Sequence, residues 1–222
     1  MVMRRLVGLL LISLALSGCV RAKIEQFRES PVAVRMSAGD AVVVMGRRHH
    51  GAHEAEESFT SCVARSLQGS RIAVYPEQDF VDALYPWLEP RTAPKSAERL
   101  NQLLDLPVVE KRLHQTGVRF MVWIDGETDT VDRKGAMSCA LSPAGGGCLG
   151  LTWWDRKSEY TATIWDVRDR QVVGKAKVDA TGTSVMPAVI IPIPMIARTE
   201  AAACDGVATQ LKELLQPQLS AG

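Results

Sequence analysis

Val118-Arg119-Phe120-Met121-Val122-Trp123-Ile124 is the stretch that decides the fold. Its β-branched and aromatic residues predict a strand, the clearest in the chain. Short apolar runs alternate with helix-like patterns before this strand, and β-rich segments separated by turns follow it. The order strand, helix, strand, helices, strand, meander and helix predicts an α+β fold, with helices packed on a mixed, largely antiparallel sheet.

The segments before this strand show both apolar periods. Ala41–Met45 is a continuous apolar run, typical of a buried strand, and Ile72–Tyr75 is a second one. Apolar residues at helical spacing predict a helix between these strands and more helices after the second strand. Pro107 suits a first helical turn, and Gly117 ends that helix. The residues at helical spacing are Phe59, Cys62, Val63, Ser66, Leu67; Phe80, Leu84, Leu88; Leu100, Leu103, Leu104; and Val109, Leu113.

The segments after it predict an antiparallel meander. Residues 125–135 are polar and predict a connection. Thr199 is suited to cap a last helix, with Glu200 in its first turn. The predicted strands are 138–141, 149–154, 160–167 and 172–183, and the predicted turns are Ser142–Gly147, Asp155–Ser158 and Asp169–Arg170.

The N-terminus has the layout of a secretory signal. Arg4 and Arg5 precede an apolar run, Leu6–Leu16, and small residues then lead into a cysteine, in the order Leu16-Ser17-Gly18-Cys19. A membrane-spanning helix needs about 20 apolar residues, more than this run offers.

Leu16-Ser17-Gly18-Cys19 resembles the lipobox of bacterial lipoproteins. The resemblance implies that Cys19 is acylated and begins the mature protein, with three acyl chains holding it to a membrane. Val20, where Asp often retains such proteins at the inner membrane, implies the periplasmic face of the outer membrane. We therefore predict a signal peptide at 1–18, a lipidated tether at 19–39, a single α+β domain at 40–216 and a tail at 217–222.

Charge and cysteine content bound the function further. The formal net charge is +1 and the chain has no basic stripe, so a nucleic-acid partner is not expected. Apart from Cys19 the chain has four cysteines, an even number that suggests two disulfides in an oxidising compartment. Buried free thiols are the alternative.

The positions of these cysteines favour one pairing of the three. Cys139 and Cys148 flank the glycine-rich turn, so their Cα atoms are expected to lie close together. Cys62 and Cys204 each lie on the apolar face of a predicted helix, and two helices side by side on one sheet would bring them together.

The chain resembles a group of envelope proteins in its lipobox, in the order of its elements and in segments such as Ile164-Trp165-Asp166-Val167-Arg168-Asp169. The group includes the TolB amino-terminal domain, the curli-secretion lipoprotein, the lipoprotein activators of penicillin-binding proteins and the exopolysaccharide-export lipoprotein of the Pel system. The resemblance covers roughly residues 40–216 and implies a TolB-like sandwich that serves protein assembly. Some similar lipoproteins form rings, which leaves a homo-oligomer open.

Candidate chemistry is sparse. His49, His50 and His53 lie in one polar stretch and are candidate zinc or copper ligands, although a solvated loop is the simpler interpretation. Residues 144–150 are rich in glycine but lack the Lys-Ser/Thr ending of a phosphate loop. A glycosidase-like set of acids is a weaker alternative to solvated side chains, and one of two adjacent tryptophans is a candidate for sugar stacking or an interface. These acids and tryptophans are Asp125, Glu127, Asp129, Asp132, Trp153 and Trp154. We predict no catalytic residue and no cofactor.

Residues 185–197 carry no charge and three prolines, Pro187, Pro192 and Pro194. Proline removes ladder donors, so the segment is predicted to be neither a central strand nor a helix. It is either an extended connection over the core or an apolar docking surface for a partner or the membrane, and its candidate contact residues are Ile190, Ile191, Ile193 and Met195. The favoured function is a non-enzymatic lipoprotein accessory in envelope assembly or export, with an envelope protein partner; the alternative is a metal- or glycan-binding periplasmic module.

Overall fold

The computed structural model describes residues 23–29, 34, 36–37, 39–46, 55–89, 92–94, 97–143 and 145–215. Its strands are β1 (Lys23–Glu29), β2 (Ala41–Gly46), β3 (Val74–Tyr75), β4 (Val118–Ser142), β5 (Gly145–Asp166) and β6 (Gln171–Pro192). Its helices are α1 (Glu57–Gln68), α2 (Glu77–Ala83), α3 (Ala97–Leu104), α4 (Pro107–Thr116) and α5 (Thr199–Leu214). The predicted signal peptide, Cys19 and the histidines at 49, 50 and 53 lie outside the described residues.

The strands form one mixed sheet in the order β1-β6-β5-β4-β2-β3. β2 runs parallel to both of its neighbours, with Val42 opposite Val74 of β3 and Phe120 of β4. Short turns join β4 to β5 and β5 to β6, a connection that only antiparallel neighbours allow. The mixed sheet with its packed helices confirms the predicted α+β class.

The chain divides into two compact units, and the divisions fall inside the three long strands. Among described residues, unit 1 comprises Lys23, Thr130–Arg156 and Thr181–Arg198, and unit 2 comprises Ile24–Asp129, Lys157–Ala180 and Thr199–Leu215. The prediction of a single domain at 40–216 stays a prediction.

Unit 2 buries apolar side chains on both faces of its part of the sheet. Alternate residues of a strand point to opposite faces, so the apolar run of β2 supplies both. Val42 and Val44 pack with α1 and α5 on one face, and Val43 and Met45 pack with α2, α3 and α4 on the other. β4 repeats this pattern, with Phe120, Val122 and Ile124 on the first face and Met121 and Trp123 on the second.

Two helix ends of unit 2 follow directly from the sequence. Pro107 occupies the first turn of α4, where a missing N–H costs nothing. Gly117 follows this helix with φ of 70°, the left-handed conformation that glycine adopts without a steric penalty. The helix therefore ends just before Val118, the buried first residue of β4.

Several predicted boundaries are wrong. Lys23–Glu29, expected to be part of a tether, forms β1; residues 125–135, expected to be a connection, continue β4; and Asp155–Ser158, expected to be a turn, continues β5. Residues 185–192 extend β6, although the prolines argued against a strand, and α2 ends at Ala83 before Leu84 and Leu88. Ladder hydrogen bonds to neighbouring strands hold these segments extended, whatever their side-chain pattern.

Candidate interaction surface

The parts of β4 and β5 that belong to unit 1 approach each other closely at two glycines. A Cβ at Gly135 would lie 2.1 Å from the carbonyl oxygen of Leu151, and a Cβ at Gly150 would lie 2.3 Å from that of Ala136. Both glycines also have positive φ, 94° and 154°. Only glycine fits where the backbones approach so closely, so these two residues fix how the strands pair.

A disulfide closes this pair near its turn. Cys139 on β4 is bonded to Cys148 on β5, with Cα atoms 4.0 Å apart. Cys62 on α1 and Cys204 on α5 form the second disulfide, in unit 2, with Cα atoms 6.3 Å apart. These are the two pairs that the sequence predicts.

The proline-rich segment folds back on itself. Val185 and Met195 exchange backbone hydrogen bonds, with N···O distances of 2.9 Å and 2.8 Å, and the Ile193 N–H donates to the Pro187 carbonyl at 3.0 Å. The Ala197 N–H donates to the Ser184 hydroxyl at 3.0 Å. Three backbone donors are thus satisfied within residues 185–197, and a fourth is satisfied by the neighbouring Ser184.

Unit 1 has almost no interior. Its only buried side chains among the described residues are Ser184, Ala188 and Ala197, all small. Large apolar side chains of the unit face outward instead. We call these the apolar surface; its members are Val131, Leu141, Leu149, Leu151, Trp153, Val189, Ile190, Ile191, Ile193 and Ile196.

The exposure of this surface is unusual for a soluble protein. Leu141 is 94% exposed, Leu149 is 72% exposed and Ile191 is 69% exposed. Monomeric soluble proteins rarely expose large contiguous apolar patches, and those that exist mark interaction sites. These exposed side chains are therefore the candidate contact residues of unit 1.

Nine of the ten members of the apolar surface lie in segments without charged side chains, and the tenth is Val131. Residues 135–154 and 181–197 contain no Asp, Glu, Lys, Arg or His. Asp132 and Lys134 form an exposed ion pair at 2.8 Å, which lowers the pKa of Asp132 and raises that of Lys134. Next to it, the Arg133 guanidinium lies 5.8 Å from the ring centre of Trp154, within cation–π range.

The structure places the sequence-predicted contact residues in different environments. Ile190, Ile191 and Ile193 are exposed, whereas Met195 is half-buried beside Val185. The sequence interpretation missed Leu141, Leu149 and Leu151. Their signal is that they lie beside the glycine-rich turn in a charge-free stretch.

A second cluster, in unit 2, is an ion-pair network. Arg119 on β4 bonds Asp40 and Asp166, each at 3.0 Å, and Arg168 bonds Asp40 at 3.2 Å. Burial opposes ionisation of Asp40, but the Ser37 N–H and Arg119 outweigh it, so the pKa of Asp40 is lowered. The network joins the chain before β2 to β4 and to the β5–β6 turn, which is a structural role.

A partly buried hydrogen-bond chain joins the starts of two helices in unit 2, and the Thr128 and Ser158 hydroxyls, 2.8 Å apart, link its two halves. The Tyr160 hydroxyl donates to Glu56, which precedes α1, and lies 3.0 Å from the Thr128 hydroxyl. The Ser158 hydroxyl donates to Thr199 at the start of α5, at 2.9 Å. Burial and the Glu56 carboxylate raise the pKa of Tyr160, so its hydroxyl stays a neutral donor.

A cavity of about 240 Å³ in unit 2 was not foreseen. It lies between the end of α4 and the β5–β6 turn, and its polar lining includes Glu110, His114, Arg168 and Arg170. Arg170 is already paired with Asp105. The cavity therefore has a mixed polar lining with much of its charge compensated.

The remaining candidates do not assemble into a chemical site. Asp125, Glu127 and Asp129 alternate on one face of β4, and Asp132 falls on the opposite face by its spacing. Within the described part of the chain, no group of three His, Cys, Asp or Glu side chains is placed to hold a metal ion. The three clustered histidines lie outside that part.

No helix among the described residues has both the length and the apolar character needed to cross a membrane.

Comparison with known proteins gives distant structural similarity only. No family model and no curated protein matches the chain. The chain is similar to the PelC dodecamer from Paraburkholderia phytofirmans, with a TM-score of 0.41 and 17% identity over 87% of this chain and 96% of that one. A dodecamer of a single-substitution PelC variant from the same organism gives a TM-score of 0.40 and 16% identity over 87% and 97% of the two chains. At this identity and TM-score the similarity says nothing about the function or assembly of this chain.

Proposed function

We propose that the protein is a periplasm-facing lipoprotein, anchored in the outer membrane through Cys19, that acts as a non-enzymatic accessory in envelope assembly or export. The observation that carries the proposal is the presence of two intramolecular disulfides, one in each unit. Such bonds form and persist in oxidising compartments and are rare in the cytosol. They agree with the export signal that ends at Leu16-Ser17-Gly18-Cys19.

The apolar surface of unit 1 supports a role in contact. A unit whose only buried described side chains are Ser184, Ala188 and Ala197 gains little free energy from its own interior. Burial of its exposed apolar side chains by a binding partner would be favourable, because burial removes apolar surface from water. A binding surface rather than a reaction centre is therefore the main functional feature of the fold, and an envelope protein partner belongs to the proposal.

Acylation of Cys19 tests this proposal. Mass spectrometry of the purified chain should show an N-terminal acylated peptide beginning at Cys19, and Cys19→Ser should abolish it. The matched control is Val20→Asp, which keeps the acylation and should move the protein from outer-membrane to inner-membrane fractions. An unmodified Cys19 in the wild-type chain would refute the proposal that the protein is a lipoprotein.

A further inference from the structure

We infer that the apolar surface of unit 1 inserts into the lipid–water interface of the membrane that carries the anchor. This inference rests on the proposed function, because it uses the position of the acylated Cys19. The occupant it names is a phospholipid surface, not a second copy of the chain or another protein.

The length of chain between anchor and fold supports a lipid occupant. Cys19 lies four positions before Lys23, which begins β1 and belongs to unit 1. Four extended residues span at most about 14 Å. Acyl chains on Cys19 would thus hold Lys23, the first residue of β1, within about that distance of the bilayer surface.

The distribution of charge supports the same occupant. The charge-free ranges 135–154 and 181–197 carry every member of the apolar surface except Val131, and Arg156 and Arg198 follow these ranges within two residues. With Lys23 and the residues of 130–134 and 155–156 included, unit 1 has five basic and two acidic side chains among its described residues. An uncharged apolar zone bordered by basic residues suits an interface with anionic lipid headgroups.

The tryptophans lie where an interfacial side chain is expected. Trp153 is exposed and Trp154 is half-buried, with the Arg133 guanidinium beside its ring. Both stand at the edge of the charge-free range, next to Asp155. Tryptophan concentrates at membrane–water interfaces because its ring is largely apolar and its N–H remains hydrated.

The backbone of the proline-rich segment also suits a poorly hydrated environment. Pro187, Pro192 and Pro194 have no N–H to desolvate, and Val185, Ile193 and Met195 already donate within the segment. Unsatisfied backbone groups are costly away from water, so each donor that is absent or already bonded removes one such cost on contact with lipid. The same prolines discourage another strand from pairing with this stretch.

Quenching by brominated lipids tests the inference on the full acylated chain. The chain is reconstituted in vesicles of phosphatidylethanolamine and phosphatidylglycerol, with or without bromine on the acyl chains. We expect brominated lipid to quench part of the tryptophan emission, and the double variant Trp153→Phe/Trp154→Phe to lose that part. The other three tryptophans, half-buried Trp87 and buried Trp123 and Trp165, lie in unit 2 and provide the background emission.

A second variant separates insertion from simple tethering. Ile191→Asp/Ile193→Asp keeps the anchor and changes two exposed residues, so the fold is expected to survive. Two charges in place of two apolar side chains should weaken insertion roughly tenfold or more and abolish the quenching of Trp153 and Trp154. The control is Val108→Asp, an exposed apolar position at the start of α4 in unit 2, which should leave the quenching unchanged.

The outcomes separate this inference from the proposed function. An acylated chain whose tryptophans are not quenched overturns insertion and leaves the lipoprotein proposal intact. Crosslinks from unit 1 to a second copy or a partner protein, without quenching, overturn it in favour of a protein occupant. Quenching by a chain whose mass shows no acylation supports insertion and refutes the anchor.

Discussion

Unit 2 buries large apolar side chains on both faces of its sheet, whereas the described side chains that unit 1 buries are only Ser184, Ala188 and Ala197. The same three strands, β4, β5 and β6, contribute to both units. In unit 2 their side chains meet helices, and in unit 1 they meet solvent. The difference teaches that one run of strand can stabilise a fold in one part and leave apolar side chains exposed in another.

The stabilising free energy differs accordingly. Unit 2 gains mainly from removal of apolar surface from water, as at Phe59, which stacks on Tyr160 with ring centres 3.5 Å apart. Unit 1 has ladder hydrogen bonds and the Cys139–Cys148 bond instead. Its exposed apolar side chains contribute little to its stability, because they stay in contact with water in both the folded and the unfolded chain.

Removal of the disulfides is expected to have the largest effect on the free energy of unfolding. One disulfide lies in each unit, so two variants compare the units directly. Cys62→Ser/Cys204→Ser opens a loop with a sequence separation of 142, and should lower the free energy of unfolding by about 5 kcal/mol on the loop-entropy model. Cys139→Ser/Cys148→Ser opens a separation of 9 and should cost about 3 kcal/mol.

Urea denaturation followed by circular dichroism measures both variants. A Cys139→Ser/Cys148→Ser chain whose main transition does not move would show that unit 1 unfolds before unit 2. Equal losses for both pairs would contradict the loop-length dependence.

The packing contrast predicts the next effect. Phe59→Ala removes a fully buried ring from unit 2 and should lower the free energy of unfolding by about 3–5 kcal/mol. Leu149→Ala, at a side chain that is 72% exposed, is the matched truncation in unit 1 and should cost less than about 0.5 kcal/mol. Chemical denaturation of the two variants gives both numbers, and a comparable loss for Leu149→Ala would show that the apolar surface is already covered in solution.

The ion-pair network predicts a smaller, pH-dependent effect. The pKa of Asp40 is lower in the folded chain than its ordinary value, so its contribution is complete above the unfolded pKa and is lost as pH falls through the folded pKa. Asp40→Asn should lower the free energy of unfolding by about 2 kcal/mol near neutral pH. This loss should shrink as the pH falls below about 4.

The control for this effect is Asp132→Asn, which removes an exposed ion pair of unit 1 and should leave the free energy of unfolding unchanged, because water and salt screen such pairs. Denaturation curves from acid to neutral pH test both changes. A loss for Asp40→Asn that persists undiminished at acid pH would show that packing, not charge, holds Asp40.

The sequence predicted the elements whose own pattern is strong. The apolar run of β2, the helical spacing of α1 and the Pro107–Gly117 limits of α4 all appear where expected. Both disulfides also follow from the sequence, because Cys139 and Cys148 flank a turn and Cys62 and Cys204 share the buried faces of two helices. In these cases the local signal and the tertiary structure agree.

The full length of the long strands could not be predicted from the sequence, because their outer parts have no local signal for a strand. Residues 125–135 are polar and Asp155–Ser158 has the composition of a turn, yet both stay extended because neighbouring strands supply their hydrogen bonds.

By itself, the sequence determined the α+β class, the cysteine pairs and the apolar character of residues 185–197, since each depends on spacing or composition. Only the tertiary structure decided that this segment joins Leu141 and Leu149 in one exposed unit, because pairing between strands sets which side chains a sheet buries and which it leaves in water.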